Sequence, residues 1–226
     1  MTTLRMDWAT SKALAFACKH WHYSGIVPSG KVVRIGVWED DRFVGVVCFS
    51  LGATGKLGTR YGLTGLQVCE LARIAMTTHV TPVSRIVAIA LRMLKRLCPG
   101  TRLVVSFADP LAGHHGGIYQ AGGWIYAGLT AKVSEFRDAH GNRIPRRAYV
   151  GSCFGQPRRP LPPGAYKVPI PGKHRYLMPL DETMRRELQS FSQPYPRACE
   201  SSRRPVPPAL GGADSDPHAP SQGADA

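Results

Sequence analysis

The pattern of apolar and polar residues in the first third of the chain predicts β-structure. Residues 32–39 and 42–51 are two largely apolar runs joined by a short acidic turn, which is typical of a β-hairpin. Residues 66–76 form a longer apolar run that two charged residues, Glu70 and Arg73, interrupt. We therefore predict three strands in succession.

Helical spacing predicts two longer helices. Residues 8–20 place alanine and lysine at helical intervals, with Thr10 or Ser11 as the N-cap. The threonine–proline pair at 81–82 is a capping residue followed by proline at the first helical position, and it predicts a helix over residues 83–97. This second helix has an apolar stripe opposite a row of arginines, so we expect it to pack on a sheet.

The middle of the chain combines a strand, a polar loop and a short helix. Residues 103–108 are apolar and predict a buried strand, which Asp109-Pro110 ends because proline lacks the N–H that a sheet needs. A loop of glycine and histidine, residues 113–117, leads to a predicted helix over 118–121. The glycine pair at 122–123 fits a left-handed helix cap. Polar side chains thus collect at the end of a strand, where open α/β sheets bind ligands.

The rest of the chain predicts shorter elements and a long tail. We expect strands over 124–127, 129–136, 147–152 and 173–180, an extended Pro- and Arg-rich segment over 156–171, and a helix over 181–191. We divide the chain into a domain of residues 1–155, a basic extension of residues 156–193 that packs on it, and a tail of residues 194–226. We expect the tail to be disordered because it has few large apolar residues.

The chain has a strong basic excess. Its 226 residues include 29 Lys and Arg but 15 Asp and Glu, which gives a formal net charge of +14. Such an excess indicates a polyanionic partner, and nucleic acid is the partner we expect. A solubilising surface is the alternative. A membrane surface is disfavoured because the sequence has no evident basic amphipathic helix.

The sequence has features that are typical of a cytoplasmic protein. No apolar run reaches the length of a transmembrane helix, and residues 1–9 lack the basic start and apolar core of a signal peptide. The six cysteines form no CxxC pair, and several lie in apolar patterns. We therefore expect reduced core thiols rather than a disulfide framework or a zinc site.

Two clusters of polar residues are candidates for chemistry. The first is a run of two His, a Trp and a Tyr, in which His22 or Tyr23 would face the substrate and move a proton. The alternative is that the aromatic residues of this run belong to the core and that its histidines cap the surface. The second cluster is Asp109, Tyr119 and Ser106. Each of these has a structural alternative: Asp109 as a turn cap, Tyr119 as a core tyrosine and Ser106 as an inward-facing small residue.

The order of the predicted elements resembles the GNAT superfamily of N-acyltransferases. Residues 119–124, YQAGGW, are similar to the superfamily's short helix, and residues 70–75, ELARIA, are similar to its central strand. The resemblance implies an α/β (α+β) fold in which helices flank a mixed central sheet, here followed by the basic C-terminal extension. It also implies that Tyr119 protonates a thiolate leaving group if the donor is a thioester.

The donor site that this resemblance implies is incomplete in the sequence. The superfamily places a glycine-rich phosphate loop before the main helix, whereas residues 76–85 contain no glycine. Backbone amides at the start of the helix would still bind a phosphate group. We expect acetyl-CoA or another acyl or glycyl donor, and we assign donor binding to Arg73, Thr81, Ser84 and Arg85.

A more specific resemblance is to the phage Mom family of DNA-modification proteins. It covers residues 10–150 and is carried by residues 20–25 (HWHYSG), 70–73 (ELAR), 106–110 (SFADP), 113–114 (GH) and 118–121 (IYQA). That family converts adenine in DNA to N6-(carbamoylmethyl)adenine, which protects phage DNA from host restriction. The resemblance implies an enzyme that acts on double-stranded DNA, with a small-molecule donor, in the bacterial cytoplasm.

The reaction that the resemblance implies gives these residues specific roles. The base must leave the duplex stack before its N6 can react. Asp109 would accept a hydrogen bond from N6, and His22 or Tyr23 would carry the proton. Ser106 would orient the donor or the base, and Trp21 and Tyr23 would stack on the flipped adenine. The residues expected to hold DNA phosphates are Arg143, Arg146, Arg147, Arg158, Arg159, Lys173 and Arg175.

Iron is a further cofactor that the family resemblance raises. His20, His22, His114 and His115 would be its candidate ligands. Their spacing in the sequence matches no metal-binding motif, so at this stage both the metal and its ligands stay open.

Two other functions are consistent with the same sequence. One is an ordinary GNAT N-acetyltransferase acting on a protein or a small molecule, which the missing glycine loop and the positive charge disfavour. The other is a non-catalytic basic DNA-binding protein, which the polar groups around Asp109 and Tyr119 disfavour. The sequence leaves open the oligomeric state, the DNA sequence context and the role of residues 199–226.

Overall fold

The structure is a computed structural model that describes residues 2–52, 55–144 and 160–197. In this described part, seven strands form a central sheet in the order β1-β2-β3-β4-β5-β10-β6, and three form a second sheet in the order β8-β7-β9. The elements are β1 Leu4–Trp8, α1 Ser11–Trp21, β2 Val32–Glu39, β3 Arg42–Ser50, β4 Val68–Met76, α2 Val83–Leu97, β5 Leu103–Ala108, α3 Gly117–Ala121, β6 Ile125–Leu129, β7 Val133–Arg137, β8 Arg143–Ile144, β9 Tyr166–Ile170, β10 His174–Pro179 and α4 Glu182–Glu187.

Helices cover both faces of the central sheet. On one face, Leu94 of α2 packs in a cluster with Phe49 of β3. On the other face, Leu14 of α1 packs with Cys48 of β3, and Met184 of α4 packs over β5 and β10. Neighbouring residues of a strand point to opposite faces, so Cys48 and Phe49 belong to different layers. The predicted fold class, a mixed sheet flanked by helices, is confirmed.

The hairpin prediction is also confirmed, and two aspartates decide its turn. Strands β2 and β3 pair antiparallel, and both Asp40 and Asp41 have positive φ angles, 48° and 61°. Two left-handed residues define a type I′ turn, whose twist matches that of the paired strands. The Asp40 carboxylate accepts a hydrogen bond from the Thr3 N–H at 2.8 Å, which ties this turn to β1.

The predicted helix over residues 8–20 starts too early, because the residues before it form strand β1. Leu4 and Met6 pack against the core while the residue between them is exposed, which is the period-two alternation of a strand. Helix α1 begins after Thr10, whose hydroxyl oxygen accepts a hydrogen bond from the Ala13 N–H at 3.1 Å. This bond is the N-cap that the sequence predicts.

Strand β10 lies inside the central sheet. It pairs antiparallel with β5 on one side and with β6 on the other. The strand predicted over residues 173–180 is thus confirmed as β10, and it lies within the sheet of the domain on which we expected the extension to pack. Asp181 fixes the end of this strand, because its carboxylate accepts hydrogen bonds from the Arg102 guanidinium at 2.9 and 3.1 Å and from the Met184 N–H at 2.7 Å.

Other predicted boundaries move by short distances. Strand β4 starts after a turn of 3-10 helix over residues 65–67, and β7 starts late because β6 continues to Leu129. Pro82 is the N-cap of α2 rather than its first residue. After α3 the left-handed residue is Gly123, with φ of +69°, because Gly122 has an ordinary φ of −89°. The predicted helix over 181–191 is α4 followed by a 3-10 turn.

Some predictions concern residues outside the described part. They are the strand over 147–152, the start of the extended segment at 156–159 and all but the first residues of the tail. Among the described residues, no helix has the length and apolar character needed to cross a membrane. Cys18, Cys48 and Cys69 are buried free thiols.

Candidate active site

A cleft opens where β4 and β5 separate. The two strands pair in parallel from Val68 and Leu103 to Glu70 and Val105, after which they no longer pair. The cleft has a volume of about 830 Å³. Its lining comes from the end of α1 and the loop after it, from β4, β5, the loop before α3, α3 itself and Lys173. It thus lies at the carboxyl ends of two parallel strands, where a ligand site is expected.

A β-bulge in β4 brings two charged residues to one face of the sheet. The register of β4 against β3 skips Ala72, which is therefore an extra residue. In a regular strand Glu70 and Arg73 would point to opposite faces, because their positions differ by three, an odd number. The extra residue at Ala72 shifts the alternation by one position, so that the Glu70 and Arg73 side chains point to the same face. Both side chains line the cleft.

Glu70 is a cleft residue that was not among the predicted site residues. Burial raises the pKa of its carboxyl above the ordinary 4.5, and the charges of Arg73 and Lys173 oppose this rise. A half-buried carboxyl with a raised pKa is a stronger base than an exposed one. The available sequence signal was a charged residue in an otherwise apolar strand.

Arg73 joins β4 to the loop that follows α1. Its Nε donates a hydrogen bond to the Ile26 carbonyl at 3.0 Å, and its Nη1 donates to the Ala72 carbonyl at 2.5 Å. The loop that carries His22 and Tyr23 is thereby held against the strand that carries Glu70. The predicted donor-binding role of Arg73 is compatible with this place in the cleft lining.

The imidazole of His22 is held in one neutral form. Its Nδ1 accepts a hydrogen bond from the Ser24 N–H at 3.1 Å, and a backbone amide can only donate. Burial, followed by the charges of Arg73, His114 and Lys173, lowers the pKa of His22 from 6.5 to about 4. His22 is therefore neutral at pH 7 and carries its proton on Nε2.

We expect the His22 imidazole to titrate with a midpoint near 4 and to be protonated on Nε2 at pH 7. The stability linked to the neutral ring is present above pH 6.5 and is lost as the pH falls from 6.5 to about 4, because the unfolded chain takes up this proton first. Nitrogen NMR of the imidazole ring measures both properties. The Ser24→Ala variant keeps the backbone donor and should keep the tautomer, whereas a midpoint near 6.5 would contradict the assignment.

Aromatic rings form one rim of the cleft. Tyr23 is 59% exposed, and its ring stacks on His22 at 4.4 Å between centroids and meets the edge of His114 at 5.2 Å. Trp21 packs between Phe16 and Phe43, at 5.2 and 5.5 Å, so it is partly a core residue as the alternative interpretation has it. Tyr23 is the ring with free surface for a planar ligand.

Ser106 and Tyr119 form a buried pair behind the cleft. Their hydroxyl oxygens lie 2.8 Å apart, and the Ser106 hydroxyl is also 3.0 Å from the Leu71 carbonyl. Because a carbonyl can only accept, Ser106 donates to Leu71 and its oxygen accepts the Tyr119 proton. Burial raises the pKa of Tyr119 to about 12. Tyr119 lines the cleft, whereas Ser106 is fully buried.

Asp109 positions a lysine at the cleft. One carboxylate oxygen lies 2.8 Å from the Lys173 Nζ, and the other accepts a hydrogen bond from the Leu111 N–H at 3.0 Å. The bond to Leu111 is the contact of a turn cap, which is the structural alternative to a catalytic role for Asp109. In the described part Lys173 belongs to the cleft lining and Asp109 does not. Asp109 is therefore linked to the cleft lining through its ion pair with Lys173.

The loop before α3 is shaped by close contact with a tyrosine. Gly116 has a left-handed φ of +88°, and a Cβ atom there would lie 2.6 Å from the Tyr176 hydroxyl. That hydroxyl donates to the His115 carbonyl at 2.5 Å and accepts from the Gln120 side chain at 3.1 Å. These contacts hold His114 and His115 in the cleft lining.

The sequence comparison decides which family the chain represents. A model of the Mom protein family matches residues 3–197, which include every cleft residue named above. The chain belongs to the Mom family. The more specific of the two resemblances in the sequence is thereby confirmed. No curated protein sequence matches this Mom-family protein.

Solved structures of acetyltransferases are similar to this Mom-family protein. The Bacillus subtilis acetyltransferase in complex with CoA is 14% identical, with a TM-score of 0.44, and the match covers 80% of this chain and 100% of that one. The Vibrio cholerae spermidine/spermine N-acetyltransferase, solved with manganese ions, is 11% identical, with a TM-score of 0.42, over 81% of this chain and 96% of that one.

In this Mom-family protein an internal carboxylate binds two backbone amides just before α2. The buried Glu39 accepts hydrogen bonds from the N–H groups of Val80 at 2.8 Å and Thr81 at 2.6 Å. Burial would raise the pKa of Glu39, but these bonds and one from the Thr81 side chain lower it overall. A phosphate group would have to displace this carboxylate to bind the same amides. Among the described lining residues, α2 contributes Val83, and the lining does not include Thr81, Ser84 or Arg85.

The residues expected to bind DNA lie in different parts of the Mom-family fold. Trp21 and Lys173 line the cleft. Arg143 lies in the second sheet, where its Nε is 2.8 Å from a Glu135 carboxylate oxygen. Arg175 is half-buried beside Tyr61, on the face of the sheet that α4 covers. The residues outside the described part are Arg146, Arg147, Arg158 and Arg159.

The described residues of this Mom-family protein contain no set of ligands for the iron that the family resemblance raised. No group of three or more His, Cys, Asp and Glu side chains lies there in an arrangement that would hold a metal ion. His20, His22, His114 and His115 all line the cleft, yet they do not form such a group.

Proposed function

We propose that this chain is a transferase that converts adenine in double-stranded DNA to N6-(carbamoylmethyl)adenine. The observation that carries the proposal is the composition of the cleft in a Mom-family chain. A carboxyl group with a raised pKa, Glu70, shares the cleft with the neutral imidazole of His22 and the protonated phenol of Tyr119. A proton acceptor and two proton donors are what an amine-modifying reaction requires.

The dimensions and rim of the cleft fit a base taken out of the duplex. Its volume of about 830 Å³ is within the range of small-molecule sites and holds a purine together with a small donor. A base must leave the stack for its N6 to react, and the flipped ring then stacks on protein side chains. The exposed ring of Tyr23 at the rim is the surface we assign to this contact.

Glu70 is the general base in this proposal. The N6 lone pair is delocalised into the purine ring, so N6 becomes a good nucleophile only as it loses a proton. The Glu70 carboxylate accepts that proton while N6 forms a bond to the donor carbon and the bond from that carbon to its leaving group breaks. The charges of Arg73 and Lys173 favour the ionised form of Glu70 and oppose the effect of its burial.

His22 and Tyr119 act as hydrogen-bond donors. The Nε2–H of His22 binds an acceptor atom of the base or the donor, a role that its fixed tautomer favours over proton removal. Tyr119 supplies a proton to the leaving group, since its high pKa keeps it protonated until negative charge develops nearby. At rest Ser106 orients this phenol by accepting a hydrogen bond from it, and the phenol proton turns from Ser106 to the leaving group during the reaction.

The donor is a small molecule with a leaving group on the carbon that becomes attached to N6. In the product N6 is bonded to a methylene carbon, so this donor carries its leaving group on the CH2 of an acetamide unit. Transfer of an acyl or glycyl group from its carbonyl carbon would give an amide instead. The Glu39 contact with the amides of Val80 and Thr81 favours a donor that places no diphosphate there. We therefore assign donor binding to the gap between β4 and β5, next to Arg73.

Mass spectrometry of nucleosides tests the proposal. Plasmid DNA from bacteria that express this chain should contain a deoxyadenosine heavier by one carbamoylmethyl group, and DNA from cells without it should not. The modified plasmid should also resist restriction enzymes whose sites contain adenine. Unmodified DNA from cells that contain soluble protein would reject the proposed reaction.

A further inference from the structure

Two strands leave the central sheet together as a β-ribbon. Beyond β6 and β10, the Thr130 N–H donates to the Lys173 carbonyl at 2.9 Å, and the Lys173 N–H donates to the Thr130 hydroxyl oxygen at 2.9 Å. The ladder then resumes between β7 and β9, from the pair Val133–Ile170 to the pair Arg137–Tyr166. We call residues 131–144 and 160–172 the β-arm.

The arm is braced by its own polar contacts. Glu135 is 7% exposed, and its carboxylate pairs with Arg137 at 3.1 Å and with Arg143 at 2.8 Å. At the turn, the Asp138 carboxylate accepts hydrogen bonds from the N–H groups of His140 at 2.9 Å and Asn142 at 2.8 Å. An arm held in this way is preorganised for binding, because little conformational freedom is left to lose.

The exposed surface of the arm is basic and also carries two large apolar side chains. The arm contains four Lys and Arg and two Asp and Glu. Lys132, Lys167 and Arg143 are exposed, and one exposed aliphatic and one exposed aromatic side chain, Val133 and Tyr166, are each 47% exposed. Cations bind phosphates, and apolar side chains contact the methyl groups of thymine. This composition matches a duplex DNA surface.

The arm begins beside the cleft. Lys173, the first residue after the arm, lines the cleft and is paired with Asp109. The ladder of five residue pairs between β7 and β9 is roughly 14–17 Å long at the usual rise per residue. Most of this ladder has two strands, because β8 pairs with β7 only at Phe136 and Arg137, and a two-stranded ribbon fits the major groove of B-DNA, which is about 12 Å wide. DNA that places a base in the cleft therefore lies within reach of the arm.

We propose that the β-arm docks in the major groove of duplex DNA next to the base held in the cleft. Lys132, Lys167 and Arg143 bind phosphates at the groove edges, and Tyr166 contacts base edges. The proposal rests on the proposed function for the presence of DNA at the cleft, but it assigns DNA affinity to a surface outside the catalytic residues.

Binding of the full chain to a labelled 25-base-pair duplex tests the arm, using fluorescence anisotropy at several salt concentrations. We expect the double variant Lys132→Ala, Lys167→Ala to bind about tenfold more weakly and its salt slope to fall by about 2, because two phosphate contacts are lost. The matched control, Arg92→Ala with Arg96→Ala, removes the same charge from exposed positions of α2. It should bind like the wild type. Equal losses in both variants would overturn the proposal, because they would show an effect of net charge alone.

The groove is tested by competition. Methyl green, which occupies the major groove, should displace the protein from the duplex, and netropsin, which occupies the minor groove, should not. The opposite result would overturn major-groove docking. Tyr166→Ser should weaken binding without changing the salt slope, since it removes no phosphate contact. The binding assay needs no turnover, so it tests the docking proposal separately from the proposed reaction. Docking of the arm can be supported when cellular DNA is unmodified, and it can be rejected when the DNA carries the expected adduct.

Discussion

Changing Glu70 to Gln should lower the rate of adenine modification about 10²- to 10⁴-fold, the usual contribution of a general acid or base. Glutamine keeps the size of the side chain but cannot accept the N6 proton. The measurement is the fraction of modified deoxyadenosine in plasmid DNA at successive times after induction. Affinity for the duplex should stay at the wild-type value, because Glu70 lies in the cleft and the proposal assigns the phosphate contacts to basic residues elsewhere.

The pH dependence of the rate gives a second readout for Glu70. Burial raises the pKa of this carboxyl, so the wild-type rate should increase with pH through that raised value as the base form accumulates. The Glu70→Gln variant should lack this step. A wild-type rate that does not change as the pH is lowered toward the ordinary carboxyl range would contradict the role of Glu70 as the base.

Stability separates this chemical effect from a folding defect. Because the folded protein holds the Glu70 proton to a higher pH than the unfolded chain, ionisation of this carboxyl costs stability above its unfolded pKa. Glu70→Gln should therefore unfold at the wild-type temperature or above at pH 7. Glu182→Gln is the matched control, since that side chain is 84% exposed on α4, and it should leave rate and stability unchanged. Full activity in Glu70→Gln would remove Glu70 from the mechanism.

Changing Gly116 to Ala should destabilise the fold by about 3 kcal/mol, from a left-handed backbone and an overpacked contact together. The new Cβ would overlap the ring of Tyr176, with the hydroxyl oxygen at 2.6 Å. Tyr176 cannot move away easily, because it is fully buried and packs between the rings of Tyr119 and Tyr126. For a chain of this size the change corresponds to a fall in Tm of roughly 6–12 °C.

Gly113 offers a control for the backbone part of this effect. It lies in the same loop with a φ of +74°, but a Cβ there would meet nothing within 4 Å. Gly113→Ala should cost about 1 kcal/mol, the backbone cost alone. Thermal unfolding followed by circular dichroism compares the two variants. Equal shifts in Tm would mean that the contact with Tyr176 has no energetic weight.

Local patterns predicted the elements that form by local interactions. The apolar run over residues 103–108 became β5 with the same bounds, and the amphipathic stripe over residues 83–97 became α2. The N-cap role of Thr10 was also readable, because capping depends on residues within one helical turn. Strand β1 was missed because its alternation is short and lies next to a helical pattern.

The candidate site was predicted in part. His22, Tyr23 and Tyr119 were chosen from their neighbours in the sequence, and all of them line the cleft. Asp109 was chosen for direct contact with substrate, but in the structure its two oxygens hold a lysine and a turn amide. That lysine is 64 positions later in the sequence. No local pattern predicts such a pair, because it depends on the path of the chain through the sheet.

The sequence by itself determined the family, the basic charge and the order of the elements from α1 to β6, since these follow from composition, motifs and the periodicity of neighbouring residues. Only the tertiary structure decided that Glu70 and Arg73 share a face, because this depends on a bulge in the register between two strands. It also decided that Glu39 occupies the amides before α2, and that β10 enters the central sheet and carries Lys173 to the cleft. These features depend on contacts between segments that are far apart in the sequence. The free energy of such contacts cannot be inferred from either segment alone.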